Sequence, residues 1–297
     1  MDKGTGICMK IASIFRPDKT VFSLEVFPPK RTSPINTIYE TLEELRELTP
    51  DFISVTYGAG GNLADSTTCD IASIIKNQYN IEAVAHLTCV NSTKDQVKVV
   101  LEKLRTNNIE NILALRGDFS EEYPKQNDFT YAKDLIAFLR EEEVGVGMGI
   151  SGACYPEGHP EADSEEADLI HLKEKVDAGA EHLVTQLFFD NNLYYEFVKR
   201  ARGIGIDVPI EAGIMPVVNK NQIQRMVSLC GASLPSKFTK MMNRYESNPD
   251  AMRDAGIAYA VDQIVDLISN GAEGIHLYTM NNPYIARKIT ESIKSLF

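Results

Sequence analysis

The feature that most constrains the fold is an alternation, repeated along the chain, of short apolar runs and longer amphipathic segments. The apolar runs predict eight strands, at residues 21–27, 52–57, 83–90, 112–117, 144–150, 182–189, 210–216 and 274–280. Between them, apolar residues recur every three or four positions, which is typical of helices with one buried face. These helices are predicted at 35–48, 65–78, 94–106, 130–142, 164–178, 192–203, 219–230, 250–269 and 284–296, with an extra helical insertion at 235–245.

The alternation predicts an α/β fold, a single (β/α)8 TIM barrel that forms one catalytic domain over residues 1–297. The runs are almost continuously apolar, as expected for parallel strands covered by helices. The alternative is an open, doubly wound sheet. Such a sheet usually carries a glycine-rich dinucleotide fingerprint after its first strand, whereas Pro28 and Pro29 follow the first run here.

Composition excludes several classes of partner. The chain is 43% hydrophobic and 24% charged, which is ordinary for a globular protein, and its net charge of −12 disfavours nucleic acid and anionic membrane surfaces. It has no apolar stretch of about 20 residues that could span a bilayer. The five cysteines form no Cys-x-x-Cys pair, so we expect reduced thiols, no metal site and a cytoplasmic location.

Polar residues cluster where the predicted strands end, which is the face of a barrel that carries the chemistry. In chain order they are Glu25, Thr56, Tyr57, His86, Arg116, Gly117, Asp118, Tyr155, His159, Gln186 and Tyr278. Several also have a structural interpretation. Glu25 could be a core carboxylate paired with Arg116, His86 a satisfied interior histidine, and Gln186 a cap on neighbouring backbone. Tyr155 and His159 could brace a long loop.

The motifs that are missing narrow the chemistry further. No lysine lies within a predicted strand, which disfavours a Schiff-base aldolase. The five histidines lack metal-ligand spacing, and the chain has neither a nucleophile elbow nor a Walker loop. Once these motifs are excluded, the candidate groups are an acid, an Arg-Gly-Asp turn and an amide on a strand. This set favours a barrel enzyme in which a bound cofactor carries the difficult chemistry.

Eight segments in order carry a family resemblance over about residues 20–282. They are FSLEVFPPK, ISVTYGAGG, AHLTCV, LALRGD, YPEGHPEA, LKEKVDAGAEHLVTQLFFD, GIMPV and HLYTMN. Together they resemble methylenetetrahydrofolate reductase in its short bacterial form. The resemblance implies a (β/α)8 barrel in which FAD relays a hydride from NADH or NADPH to 5,10-methylenetetrahydrofolate. The product would be 5-methyltetrahydrofolate, for one-carbon metabolism and methionine biosynthesis, and we expect a homo-oligomer.

The resemblance also implies residue roles. Glu25 would be the general acid that protonates folate N10, with a pKa raised by apolar neighbours. Asp118 would be catalytic and contact both the flavin and the folate, and Gln186 and Gln222 would bind the folate. Thr56 would contact the nicotinamide. The cofactor-binding residues would be Thr56, Tyr57, Ala59, His86, Arg116, Gly117, Asp118, Ala132, Tyr155, His159, Ala162, Asp168, His171 and Lys175.

Some positions depart from the family pattern. His171 and Glu174 stand where the family has Asn and Arg, Asn282 follows the TMN segment in place of an arginine, and Met226 replaces an aromatic residue. These departures leave the electron donor open between NADH, NADPH and an electron-transfer partner subunit. Two rival interpretations remain: a flavin-free pterin-binding barrel that transfers a methyl group, and a non-catalytic scaffold.

Overall fold

A closed barrel of eight parallel strands forms the centre of the molecule. The computed structural model describes residues 9–29, 34–57, 67–118, 126–141 and 144–297. The strands are β1 (Val21–Val26), β2 (Phe52–Val55), β3 (Glu82–Thr88), β4 (Asn111–Leu115), β5 (Gly149–Cys154), β6 (His182–Thr185), β7 (Ile210–Ile214) and β8 (Gly274–Tyr278). Each strand pairs with the next in parallel, and β8 pairs with β1. The predicted (β/α)8 barrel is therefore confirmed.

Helices surround the barrel. They are α1 (Asn36–Arg46), α2 (Thr67–Asn77), α3 (Lys94–Thr106), α4 (Ala132–Leu139), α5 (Glu165–Asp177), α6 (Asn191–Gly203), α7 (Lys220–Cys230), α8 (Ser236–Tyr245), α9 (Pro249–Ser269) and α10 (Pro283–Ile293). Local sequence sets where they begin: at α3, the Thr93 hydroxyl accepts from the Gln96 amide, and the Gln96 side chain accepts from the Thr93 amide. The insertion predicted at 235–245 is α8. None of the described helices is long and apolar enough to cross a membrane.

Strand register separates the barrel interior into layers. Side chains two residues apart on a strand share a face, so Val21, Ser23 and Glu25 of β1 succeed one another along the inside. At the amino-terminal end, Val21 packs with Phe52 in an apolar layer that also contains Ile11 of a short 3-10 helix. Ser23 and Glu25 therefore lie progressively nearer the carboxyl ends of the strands, where the functional site is expected.

The fifth strand was predicted wrongly, at 144–150. The run Val-Gly-Val-Gly-Met alternates like a strand, but Gly147 has a φ of +83°, a left-handed conformation that turns the chain. The strand begins only at Gly149 and continues to Cys154, four residues beyond the predicted end. The sixth strand is also shorter than predicted, because it ends at Thr185. Gln186 therefore follows the strand, at its carboxyl end.

Candidate active site

A cavity of about 740 Å³ opens at the carboxyl ends of the strands. Its volume is typical of a small-molecule site. Many of the residues predicted from the strand ends line it: Glu25, Thr56, Tyr57, His86, Arg116, Gly117, Asp118, Tyr155, His159 and Gln186. The structure thus brings together side chains that are far apart in the sequence.

Other predicted site residues lie away from this cavity lining. Asp168 borders a smaller adjoining pocket, which also includes Tyr155. Lys175 is half-buried, and its Nζ donates to the Ala153 carbonyl at 2.6 Å. Ala132, Ala162, His171 and Gln222 lie outside the described lining, and Ala59 lies outside the described residues. Their roles in binding stay predictions.

Glu25 lies among imidazoles and a hydroxyl rather than apolar side chains. Its Oε2 is 3.4 Å from His86 Nε2 and 3.5 Å from His276 Nε2. The Ser54 hydroxyl donates to the same oxygen at 3.5 Å. Arg116, the partner considered from the sequence, forms a two-point ion pair with Glu161. The pairing of Glu25 with Arg116 is therefore wrong.

These neighbours reverse the expected pKa shift of Glu25. Burial raises the pKa, but the hydrogen bond with His276 and the charges of His86 and His276 outweigh it, so the pKa is lowered. Burial lowers the pKa of His276, yet its hydrogen bond with Glu25 and the charges of Glu211 and Glu25 raise it overall. The expectation of a raised Glu25 pKa is wrong, because the neighbours are basic. These two opposite shifts favour a carboxylate at Glu25 beside an imidazolium at His276.

His86 is a neutral imidazole on the cavity wall. Burial lowers its pKa from 6.5 to about 4, with Glu25 acting in the opposite direction. Its Nε2 has no hydrogen-bond partner among the described residues. Because a buried nitrogen without a partner is costly, this atom is suited to contact a bound molecule.

The depressed pKa of His86 makes stability depend on pH. The unfolded state binds this proton near pH 6.5 and the folded state only near pH 4, so stability is lost as the pH falls through that window. Between pH 7 and pH 5, we expect the wild type to lose about 2 kcal/mol more unfolding free energy than H86Q. Urea unfolding of the FAD-free proteins measures this difference. H171Q, at an exposed histidine, should behave as the wild type, and equal losses in H86Q and the wild type would contradict the argument.

The Arg116-Gly117-Asp118 turn places two charged groups at the cavity rim. Gly117 has a φ of +84°, and a Cβ there would lie 2.9 Å from the Thr88 Cβ. Glycine therefore permits both the left-handed turn and the close approach to β3. The turn leaves the Asp118 side chain exposed while it lines the cavity.

Gln186 fits both roles considered from the sequence, a cap on neighbouring backbone and a residue of the site. Its side-chain oxygen accepts a hydrogen bond from the Leu187 amide at 2.9 Å, so it caps local backbone. It also lines the cavity, and its amide nitrogen has no hydrogen-bond partner within the described part of the chain. The amide nitrogen therefore remains available as a donor to a ligand.

Sequence reasoning missed a buried polar cluster beneath Glu25, formed by Ser23, His182, Glu211 and His276. All four side chains are almost fully buried. One signal was present: Glu211 follows Ile210 in an apolar strand, where an acid is costly unless it is paired. Despite this concentration of imidazoles and carboxylates, no group of side chains in the described residues is arranged to hold a metal ion.

Comparison with known proteins identifies similar sequences. A family model described as methylenetetrahydrofolate reductase matches residues 10–294. The chain is 36% identical to 5,10-methylenetetrahydrofolate reductase of Escherichia coli (strain K12), over 91% of this chain and 90% of that protein. It is 38% identical to methylenetetrahydrofolate reductase (NADH) 1 of Arabidopsis thaliana, over 92% of this chain and 48% of that protein. It thus spans about half the length of this plant relative.

Solved structures of low sequence identity share the fold. An uncharacterized protein from Clostridium thermocellum that binds two copies of 5-methyl-5,6,7,8-tetrahydrofolic acid has a TM-score of 0.65 and 13% identity, covering 94% of this chain and 96% of that one. Dihydropteroate synthase from Xanthomonas albilineans has a TM-score of 0.52 and 11% identity, covering 95% and 94%. At these identities the likeness shows the barrel fold alone.

Proposed function

Because the chain belongs to the methylenetetrahydrofolate reductase family, we propose that it reduces 5,10-methylenetetrahydrofolate to 5-methyltetrahydrofolate with a bound FAD and NADH as electron donor. The observation that carries this proposal is the placement of Glu25 beside His276, on the wall of a cavity that Asp118 and Gln186 also line. The reaction needs a proton donor at the folate, and this pair would supply the proton from the cavity wall.

The cavity has the chemical character that a flavin requires. A flavin ring has two flat apolar faces and a polar edge, and the lining offers Leu115, Met215 and Met226 together with polar groups such as His86 and Asp118. When bound, the flavin would supply the hydride that reduces the folate, after accepting one from NADH.

Glu25 would protonate the folate N10 and open the five-membered ring, so that the carbon left on N5 becomes a cationic hydride acceptor. Its lowered pKa is compatible with this role because His276, whose pKa is raised, would supply the proton. The proton passes from His276 Nε2 to Glu25 Oε2, atoms 3.5 Å apart, as Glu25 protonates N10. The general acid is therefore the Glu25–His276 pair rather than an isolated carboxyl group.

The other cavity residues would bind and orient the reactants. Asp118, exposed at the rim, would accept hydrogen bonds from the pterin ring and place a negative charge near the polar edge of the flavin. The Gln186 amide would donate to the folate, and Thr56 would contact the nicotinamide. Arg116 and His159 would interact with the polar parts of FAD.

The visible absorbance spectrum of the purified full chain, with FAD added, tests the proposal. We expect flavin bands that bleach with NADH under anaerobic conditions and return when 5,10-methylenetetrahydrofolate is added. Bands that return with the folate but bleach only with NADPH or a reduced carrier protein would contradict NADH as the donor. A chain that binds methyltetrahydrofolate without binding FAD would overturn the reductase proposal in favour of a flavin-free pterin barrel.

A further inference from the structure

A second carboxylate, Glu211 on β7, lies completely buried beneath the proposed acid. Its Oε1 accepts a hydrogen bond from the Ser23 hydroxyl at 2.6 Å. Its Oε2 lies 3.4 Å from His182 Nε2 and 3.8 Å from His276 Nδ1. No lysine or arginine pairs with it in the described part of the chain. An acid buried without such a partner is costly, so its retention needs an explanation.

The hydrogen bonds around Ser23 determine where His276 carries its proton. The Ser23 hydroxyl donates its single hydrogen to Glu211 Oε1. The Ser23 Oγ is also 2.5 Å from His276 Nδ1. Because Ser23 has no second hydrogen to give, Nδ1 must be the donor in that contact. A neutral His276 is therefore the Nδ1–H form.

The other ring nitrogen of His276 consequently faces Glu25. Nε2 lies 3.5 Å from Glu25 Oε2 and 3.3 Å from the Ser54 hydroxyl. With Nδ1 protonated, Nε2 carries either a lone pair or the additional proton of the imidazolium. It is thus the atom through which His276 can exchange a proton with Glu25.

We propose that Glu211 is a positioning residue which, through Ser23, holds a proton on His276 Nδ1 and keeps Nε2 as the atom that exchanges a proton with Glu25. This inference rests on the proposed function for its consequence in catalysis. The arrangement of the hydrogen atoms follows from the contacts alone. The series of side-chain contacts runs inward from the cavity, from Glu25 to His276, Ser23 and Glu211.

The remaining groups near His276 do not replace Glu211 in this role. His86, on β3, is neutral near pH 7 and reaches Glu25 rather than Nδ1. The Tyr278 hydroxyl donates to the Thr185 carbonyl. The Phe52 ring stacks on His276 and offers no hydrogen bond. His182 touches Glu211 through its other carboxylate oxygen.

Nitrogen-15 NMR of the histidine side chains, on the full chain without FAD, tests the proton placement directly. In the wild type we expect the neutral form of His276 to be protonated at Nδ1. In E211Q the new amide can donate to Ser23, whose hydroxyl then donates to Nδ1, so the neutral form should switch to Nε2–H. H182Q, which leaves the Ser23 contact with Glu211 in place, is the matched control and should keep Nδ1–H. An unswitched E211Q would overturn the proposal.

A second variant, S23A, tests the proposal independently if E211Q does not fold. S23A keeps both Glu211 and His276 and removes the hydroxyl between them, so the Nδ1–H preference should be lost. If S23A retains the wild-type tautomer, Ser23 does not transmit the effect of Glu211 and the proposal is wrong.

Half-reaction kinetics test the consequence for catalysis. With E211Q we expect reoxidation of the reduced flavin by 5,10-methylenetetrahydrofolate to slow by about tenfold or more, with an altered pH profile. Reduction by NADH should stay within about twofold of the wild type. A wild type without folate reduction would refute the proposed function and leave the tautomer result standing. An active wild type with the same pH profile as E211Q would overturn this inference.

Discussion

Replacing Glu25 with glutamine should slow reduction of 5,10-methylenetetrahydrofolate by about a hundredfold to ten-thousandfold, the usual contribution of a general acid. Glutamine has nearly the same shape, but its amide cannot pass a proton to folate N10. Reduction of the bound flavin by NADH needs no such proton and should stay within about twofold of the wild type. Stopped-flow absorbance of the two half-reactions separates these effects.

S54A is the matched control for this variant. It removes the hydroxyl that donates to Glu25 at 3.5 Å but keeps the carboxyl group and His276. We expect its folate half-reaction to slow by less than about tenfold. Reoxidation of E25Q at the wild-type rate would show that the proton comes from elsewhere. Equal slowing of both half-reactions in E25Q would point to a disturbed cavity instead.

E25Q should also change the pKa of His276, and this change can be measured without FAD. The negative charge of Glu25 and its hydrogen bond help to raise the pKa of His276. In E25Q that charge is absent, so the imidazole should titrate at a lower pH than in the wild type. E25Q thus removes the carboxyl group and also lowers the proton affinity of His276.

The barrel was predictable because each strand and each helix has a characteristic pattern among residues that are close in the sequence. Apolar runs and helical periodicity can be recognised from neighbouring residues alone, and these patterns predicted the number and order of the strands correctly. The error at β5 arose because the Val-Gly-Val-Gly-Met run alternates like a strand, whereas Gly147 has a left-handed φ that turns the chain. A pattern of side-chain polarity does not report the left-handed φ that turns the chain there.

The cavity lining was predictable in part for a related reason. Parallel strands bring their carboxyl ends to one face, so polar residues such as Glu25 and Asp118 could be placed there without knowing the register. The cluster beneath Glu25 was not predictable in this way. Glu211 and His276 meet Ser23 only because β8 pairs in a particular register with β1 on one side and with β7 on the other. The direction of the Glu25 pKa shift depends on His276, which belongs to this cluster, and on His86, so it was predicted wrongly.

Replacing Asp118 with asparagine should weaken folate use and alter the flavin at the same time. We expect the KM for 5,10-methylenetetrahydrofolate to rise about tenfold to a hundredfold, because hydrogen bonds to a charged acceptor contribute about 1.5–3 kcal/mol. The midpoint potential of the bound flavin should become more positive, since the nearby negative charge opposes the negative charge that reduction adds. Steady-state kinetics and equilibrium reduction against reference dyes measure the two quantities.

E157Q provides a control for a general change in charge. Glu157 lies in the loop after β5, where its carboxylate accepts from the Ser233 amide, and it is outside the cavity lining. We expect its KM to change by less than about threefold, with little change in the potential, because solvent screens a charge at greater distance. If D118N and E157Q alter the potential equally, the effect comes from net charge. A shift confined to D118N requires that its carboxylate lie beside the flavin, which the exposed position of Asp118 at the cavity rim permits.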